Sequence, residues 1–397
     1  LPLSRTGAAF TPRVNPEIAA MTARTLPLDG VRVLEFGHTI LGPCCGMILA
    51  DLGAEVIKIE PPDGERTRRL RGFGTGYFAF YNRNKKSVTL DYKTPDGLAS
   101  ARELIATADV LIENMAPGAL ARAGLGPDDA KRINPKLIYC SLKGFLDGPY
   151  ADRFALDEVV QMMSGLAYMT GPPGMPLRSG TSISDITGGL FGAIGILAAL
   201  RDRDQGKNGQ VVESALFETA AFLMGQFMAY SALTGKPVPP MPARVSAWAV
   251  YELFQSADGE RVFVGITSDN QWRSFCTEFE LPDLLNDISL STNEKRVDER
   301  ARLIPELIAL FKALPAAEIE QRCVKANLPF APIAHPEDLF DDPHLNAGGS
   351  LAPTTLSDGI KTKLPKLPIR IDGEAFDVRN DPPAAGEHNA AILSRKT

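Results

Sequence analysis

The sequence predicts an α/β protein: a Rossmann-like large domain on a parallel sheet, and a smaller α+β domain carried in the middle of the chain. Three observations predict it. From Leu28 onward, short β-type runs alternate with helical ones, a pattern that covers both faces of a parallel sheet with helices. After Thr234 a break rich in proline (Pro237, Pro239, Pro240, Pro242) opens a zone of different composition. The 397 residues are also more than one compact core usually holds.

The elements follow in order. Val31–Phe36 is a strand, Pro43–Leu52 a helix closed by Gly53, and Glu55–Ile59 the next strand. Ser87–Leu90, Asp109–Glu113 and Leu137–Leu142 continue the strands, with helices over Gly97–Ala106 and Pro127–Ile133 between them. Helices over Glu158–Met169 and Ile186–Arg203 come next. The second is apolar nearly all round and is expected to be buried, with Gly188, Gly192 and Gly195 admitting another backbone. Its apolar run, Ile186–Leu200, is read as too short to span a bilayer. Beyond the proline break, a strand over Arg261–Ile266 is followed by helices over Asn270–Glu280, Glu299–Leu314 and Ala316–Ala326. The expected division is an extension over 1–24 with Met21 a candidate start, a large domain from 25–224, a small domain over 225–325, and a proline-rich return over 326–397. The extension lacks the apolar stretch of a signal peptide.

Forty-two basic against 48 acidic residues leave a net charge of −6, which speaks against a general nucleic-acid binder. The five cysteines are scattered without C-x-x-C spacing, so they read as small buried hydrophobes in a reducing, cytoplasmic compartment. His38, His335, His344 and His388 are too dispersed to form a metal site. Neither a G-x-S-x-G elbow nor a Walker A or G-x-G-x-x-G run is present.

Two features could carry chemistry. Arg66–Lys93 is basic and aromatic. Composition favours a solvated face there; the other reading has its cations meeting phosphates while Tyr77, Phe78 and Tyr81 stack or close a pocket. Asp185 opens the glycine-rich helix. An acid at a helix start serves as an N-cap without any function, yet the same position favours the ionised carboxylate, and only that form attacks.

Ordered segments then carry a resemblance. Leu28–Pro43, the GAEVIKIEPP run after it, Tyr81–Gly97, Asp109–Leu125, Asn134–Phe145, Val159–Gly171 and Arg178–Leu200 closely resemble formyl-CoA transferase and other class III CoA-transferases. The resemblance covers nearly the whole chain after Leu28 and includes a late NLPFAPIAHPEDLFDDPHL run and GEHN. It implies an interlocked homodimer whose large domain is built from both chain ends, with active sites formed between subunits. The family's catalytic aspartate falls on Asp185 in S-I-S-D. Its CoA site falls on Leu90, Asp91, Tyr92 and Lys93, on Asn114, Met115 and Ala116, and on Arg122, with Lys93 and Arg122 for phosphates and Asn114–Met115 for adenine. Tyr77 matches an aromatic near the active site, and Asp157 an acid bordering the acyl pocket.

This chain departs from the pattern at Ile40, where formyl-CoA transferase has glutamine, near Pro61 and Leu156, and at Pro242–Trp248, which replaces a glycine-rich loop. Those changes put a formate–oxalate specificity in doubt. Arg178 and Arg244 are candidates for a second substrate carboxylate, or for structural ion pairs. The resemblance implies transfer of CoA from an acyl-CoA to a carboxylic acid through an aspartyl-CoA thioester, with CoA as substrate and without other cofactor, nucleic acid or membrane. An α-methylacyl-CoA racemase shares the fold, but the chain reads Ala155-Leu156-Asp157 where racemases carry a histidine. A non-catalytic CoA-binding protein would have no need of Asp185.

Overall fold

The computed structural model describes residues 25–244, 246–356 and 359–393; the expected N-terminal extension lies outside them. The chain divides into two units. One takes the chain up to Ala167, Arg178–Leu233 and the return from Leu351, and the other takes Tyr168–Leu177 and Thr234–Ser350.

The larger unit is built on β1 (Arg32–Phe36), β2 (Glu55–Glu60), β3 (Lys85–Thr89), β4 (Val110–Glu113), β5 (Ile138–Lys143) and β6 (Val211–Ala215). All neighbours pair in parallel, in the order β3-β2-β1-β4-β5-β6. That doubly wound order reverses direction between β1 and β4, and ligands in such sheets sit at the carboxyl ends of the strands at this point. The sequence reading missed β6, whose VVESA run is short and begins exposed.

Helices α1 (Leu41–Asp51), α2 (Tyr77–Tyr81), α3 (Pro95–Ala106), α4 (Ala119–Arg122), α5 (Pro127–Ile133), α6 (Asp157–Met163), α8 (Ile183–Asp204), α9 (Leu216–Leu223) and α10 (Gly225–Thr234) belong to the same unit but for Thr234, and α7 (Leu166–Thr170) spans the passage of the chain into the other unit. The single helix expected over Glu158–Met169 is divided at Gly165, whose φ of +87° leaves the helical region. Two apolar cores flank the sheet. Cys45, Leu49, Ile112, Ile196 and Phe376 belong to one, and Leu34, Ile57, Ile105 and Leu125 to the other. The returning tail covers the edge strand β3: His388 N donates to Ser87 O (3.0 Å) and Thr89 N to Asn389 Oδ1 (2.9 Å). Such cover removes an open sheet edge.

Helix α8 corrects two expectations. It spans 22 residues, long and apolar enough to cross a membrane by length and composition alone. Its glycine face is packed, since a Cβ on Gly189 would stand 2.9 Å from Leu41 O and one on Gly192 2.7 Å from Leu142. The opposite face is not buried within the chain: Leu190, Ile194 and Leu197 are exposed, as is Phe222 on α9.

The smaller unit has its own core of Val262, Val264, Trp272, Phe275, Leu303 and Phe311. Its antiparallel sheet is β7 (Val250–Gln255), β8 (Arg261–Ile266) and β9 (Phe330–Pro332). The expected limits of 225 and 325 shift to Thr234 and Ser350. Past the expected far limit, β9 still pairs with β8.

Candidate active site

The first turn of α8 places Asp185 third in the helix, after an N-cap at Ser182, so Asp185 is not the cap. A carboxylate from another helix serves that end instead. Asp157 Oδ1, at the start of α6, accepts the Ser184 amide (2.8 Å), while Oδ2 accepts from Gln161 Nε2 (2.6 Å) and Arg178 Nη2 (3.3 Å). Gln161 Oε1 in turn accepts from Ser179 N (2.9 Å). Arg178 also pairs with Glu158 (2.9 Å).

Asp185 shares a cavity of about 480 Å³ with the β1–α1 loop (His38, Thr39, Ile40), the first residue of α1 (Leu41), the end of β4 (Glu113 to Gly118), the end of β5 (Ser141 to Phe145) and Asp157. The cavity therefore lies at the carboxyl ends of β1, β4 and β5, where the strand order reverses. Burial raises the Asp185 carboxyl, the Asp157 charge raises it further and Arg178 pulls it back, leaving it at about 7. The group is thus poised to be ionised just above neutral pH. Cys44 is no rival nucleophile: burial pushes its thiol up to about 12, against the pull of Lys85.

The residues expected at a CoA site divide into two groups. Asn114, Met115, Ala116 and Ile40 line the cavity. The Asn114 carboxamide, however, is occupied: Oδ1 accepts from His38 N (2.9 Å) and Nδ2 donates to His38 O (3.0 Å). It ties β4 to the β1–α1 loop and leaves Met115 to face the cavity. Arg122 does not line the cavity; it donates to the O of Pro117, a residue that does (3.0 Å). Leu90 is buried core, Tyr92 packs edge-on to Phe36 at 5.8 Å, and Asp91 and Lys93 form the exposed turn before α3. Tyr77 packs partly buried against the core. Arg244 lies in the smaller unit, exposed, donating to Met241 O (2.9 Å).

Sequence reasoning missed His38, Glu113, Ser141, Lys143 and Arg153, all on the cavity wall. Burial lowers His38 below the usual imidazole range. Burial raises Glu113 above its ordinary value, against a hydrogen bond from Ser141. Arg153 lies over the Tyr150 ring at 4.9 Å and has no ion pair among the described residues. Except for Arg153, which lies in the loop beyond β5, these residues stand on or just past the carboxyl ends of predicted strands, and that position was the available signal.

Fold and site together define a doubly wound α/β enzyme, with its cavity at the switch point and a half-buried carboxyl at a helix start. The comparisons with known proteins make this specific. The sequence profile of CoA-transferase family III matches residues 28–389, and the chain belongs to that family: it is a CoA-transferase. It is 33% identical over 388 residues to a succinate–glutarate CoA-transferase of Agrobacterium fabrum, covering 94% of this chain and 96% of the relative. It is 35% identical over 377 residues to an acetyl-CoA:oxalate CoA-transferase of Acetobacter aceti, covering 92% and 95%. Among solved structures, a CAIB/BAIF family protein from Brucella suis matches with a TM-score of 0.83 at 33% identity, covering 94% of this chain and 99% of that one.

Proposed function

We propose that this enzyme moves CoA between small dicarboxylic acids through a covalent intermediate on Asp185. The observation that carries the proposal is the position of Asp185, a half-buried carboxyl raised to about 7 in the same cavity as Met115 and the β1–α1 loop. The names of the relatives, which act on succinate, glutarate and oxalate, support the substrate class.

The ionised carboxylate attacks the donor thioester carbonyl; a mixed anhydride forms and CoA leaves as thiolate. The thiolate attacks the Asp185 carbonyl, releasing the donor acid and leaving an aspartyl-CoA thioester. The acceptor carboxylate attacks that thioester, giving a second anhydride and thiolate. The thiolate then attacks the acceptor carbonyl, releasing the new acyl-CoA and restoring the Asp185 carboxylate. No proton moves in the balance. Backbone amides of the β1–α1 loop and of the α8 start are the proposed oxyanion donors. Lys93 and Arg122 are proposed for the CoA phosphates, Met115 for the adenine, and Arg244 for a second carboxylate.

Hydroxylamine added with succinyl-CoA should trap the activated carbonyl as a hydroxamate on the Asp185 peptide, read by mass spectrometry. An absent adduct in an enzyme that still transfers CoA sinks the covalent reading. One observation favours a proton-moving reaction instead: His38 is on the cavity wall. Exchange of an α-proton with solvent, without CoA transfer, would establish that reading.

The exposed apolar face of Leu190, Ile194 and Phe222, the last 71% exposed, supports a homodimer burying more than about 2,000 Å². Sedimentation of a stable monomer at micromolar protein overturns it. The proposed location is the cytoplasm.

A further inference from the structure

Beneath the β1–α1 loop lies a buried set of charges that the proposed transfer steps do not use. Glu35 on β1 and Lys58 on β2 are partners in the sheet register. Lys58 Nζ stands 3.0 Å from Glu35 Oε1 and 2.6 Å from Glu65 Oε2, and Lys85 Nζ stands 2.7 Å from Glu35 Oε2. Each side of this cluster also holds backbone of the loop or of the first turn of α1. Lys58 donates to Gly37 O (2.8 Å), Lys85 donates to Pro43 O (2.9 Å), and Glu65 Oε1 accepts from Thr39 N (2.8 Å).

Thr39 is the strained point. Its φ is +67°, a left-handed conformation that a β-branched residue avoids. Such a conformation persists only where the surroundings over-determine it. Glu65 is itself fixed: its amide donates to Glu60 Oε2 (2.9 Å), and Glu60 is pinned by Arg68 at 2.6 Å. The residues that follow Thr39, Ile40 and Leu41, line the cavity that holds Asp185.

We infer that Glu65, anchored by Lys58, is a positioning residue: by accepting the Thr39 amide it holds this left-handed turn, and the turn sets where the Ile40–Leu41 backbone stands relative to the Asp185 carboxyl. The inference rests on the proposed reaction for its consequence, because thiolate attack at Asp185 needs the loop backbone in one place. It does not rest on it for the clamp, which is a property of the resting protein.

Glu65→Ala removes the acceptor. The expected result is a fall in kcat of at least about tenfold with the KM for succinyl-CoA changed less than about threefold, because positioning acts on the reacting geometry and not on CoA binding. Adding Thr39→Gly should restore most of the lost kcat, since glycine takes a positive φ without the steric cost; a merely structural role for Glu65 would not be rescued this way. Amide hydrogen exchange on the peptide covering residues 37–43 should quicken in Glu65→Ala while the rest of the sheet stays protected.

If Glu65→Ala does not fold, Glu65→Gln takes its place: it keeps an oxygen for Thr39 but cannot ion-pair with Lys58, and should give a smaller loss with the same rescue. Unchanged exchange at residues 37–43 in the folded variant overturns the clamp, whatever the substrate. Unchanged kcat, or a loss that glycine does not restore, overturns its role in positioning. A wild-type protein that gives no Asp185 adduct refutes the proposed reaction, while the exchange measurement still decides the clamp.

Discussion

Glu35, fully buried, and Asp185, half-buried on a cavity wall, are both carboxylates of the larger unit, and their surroundings move them in opposite directions. Burial pushes Glu35 up, but the Lys58 and Lys85 charges outweigh it and hold the group below the usual carboxylate range. Burial pushes Asp185 up as well, the Asp157 charge adds to it, and Arg178, 36% exposed and shared with Glu158, gives too little back. Burial alone therefore does not decide protonation; the number of cations that accompany the carboxylate does. A structural carboxylate is given two lysines and stays ionised. The candidate nucleophile is given a like-charged neighbour and keeps its proton within reach of neutral pH. That is the condition for a basic carboxylate able to attack.

The difference can be broken most severely at the nucleophile. Asp185→Ala should lower CoA transfer by at least about a thousandfold, while the CoA affinity read by calorimetry changes little, because the proposed phosphate and adenine contacts lie elsewhere. Transfer retained in that variant would remove Asp185 from the chemistry. At the other site the effect should fall on stability. Lys85→Met leaves Glu35 with one cation and Pro43 O and Asn82 Oδ1 without their donor. Breaking a buried pair in this way costs roughly 3–5 kcal/mol, measurable as a lower urea midpoint. An unchanged midpoint would mean that water or Lys58 compensates.

The next effect is smaller and has a sign set by linkage. The folded Asp185 value of about 7 lies above its value in the unfolded chain. Its contribution to stability is fully present below the unfolded carboxylate pKa, is lost as pH rises toward 7, and stays lost above it. Asp185→Asn should therefore raise Tm relative to wild type at pH 8 and not at pH 4. An equal Tm difference at both would show that the carboxyl titrates normally. The smallest change is expected from Asp157→Asn. The amide can still accept from Ser184 N but carries no charge, so the acid limb of kcat/KM should move to lower pH. If that limb does not move, Asp157 is only a cap for α8.

Much of this was legible beforehand because it is local or repeats along the chain. Strand–helix alternation announced the parallel sheet, the proline break follows closely on Thr234 where the second unit resumes, and S-I-S-D at the start of a glycine-rich helix marked the candidate nucleophile and, with the other ordered segments, the family. Asn114–Ala116 line the cavity, but the use of Asn114 as a brace on His38 was not readable, because a side chain's partner depends on which strands lie side by side. His38 and Arg153 escaped for the same reason: each is an ordinary residue until the sheet order brings β1, β4 and β5 together.

The sequence by itself determined where chain can be helix or strand, which face of α8 is small, and which acid begins it, since these follow from residue type and spacing. Only the tertiary structure decided that Lys58 and Lys85 would neutralise Glu35 and Glu65, that Asp157 would meet the start of α8, and that Asp185 would titrate near 7. The physical reason is that charge–charge energies and desolvation depend on distances between residues far apart in the chain, and those distances come into being only when the sheet closes.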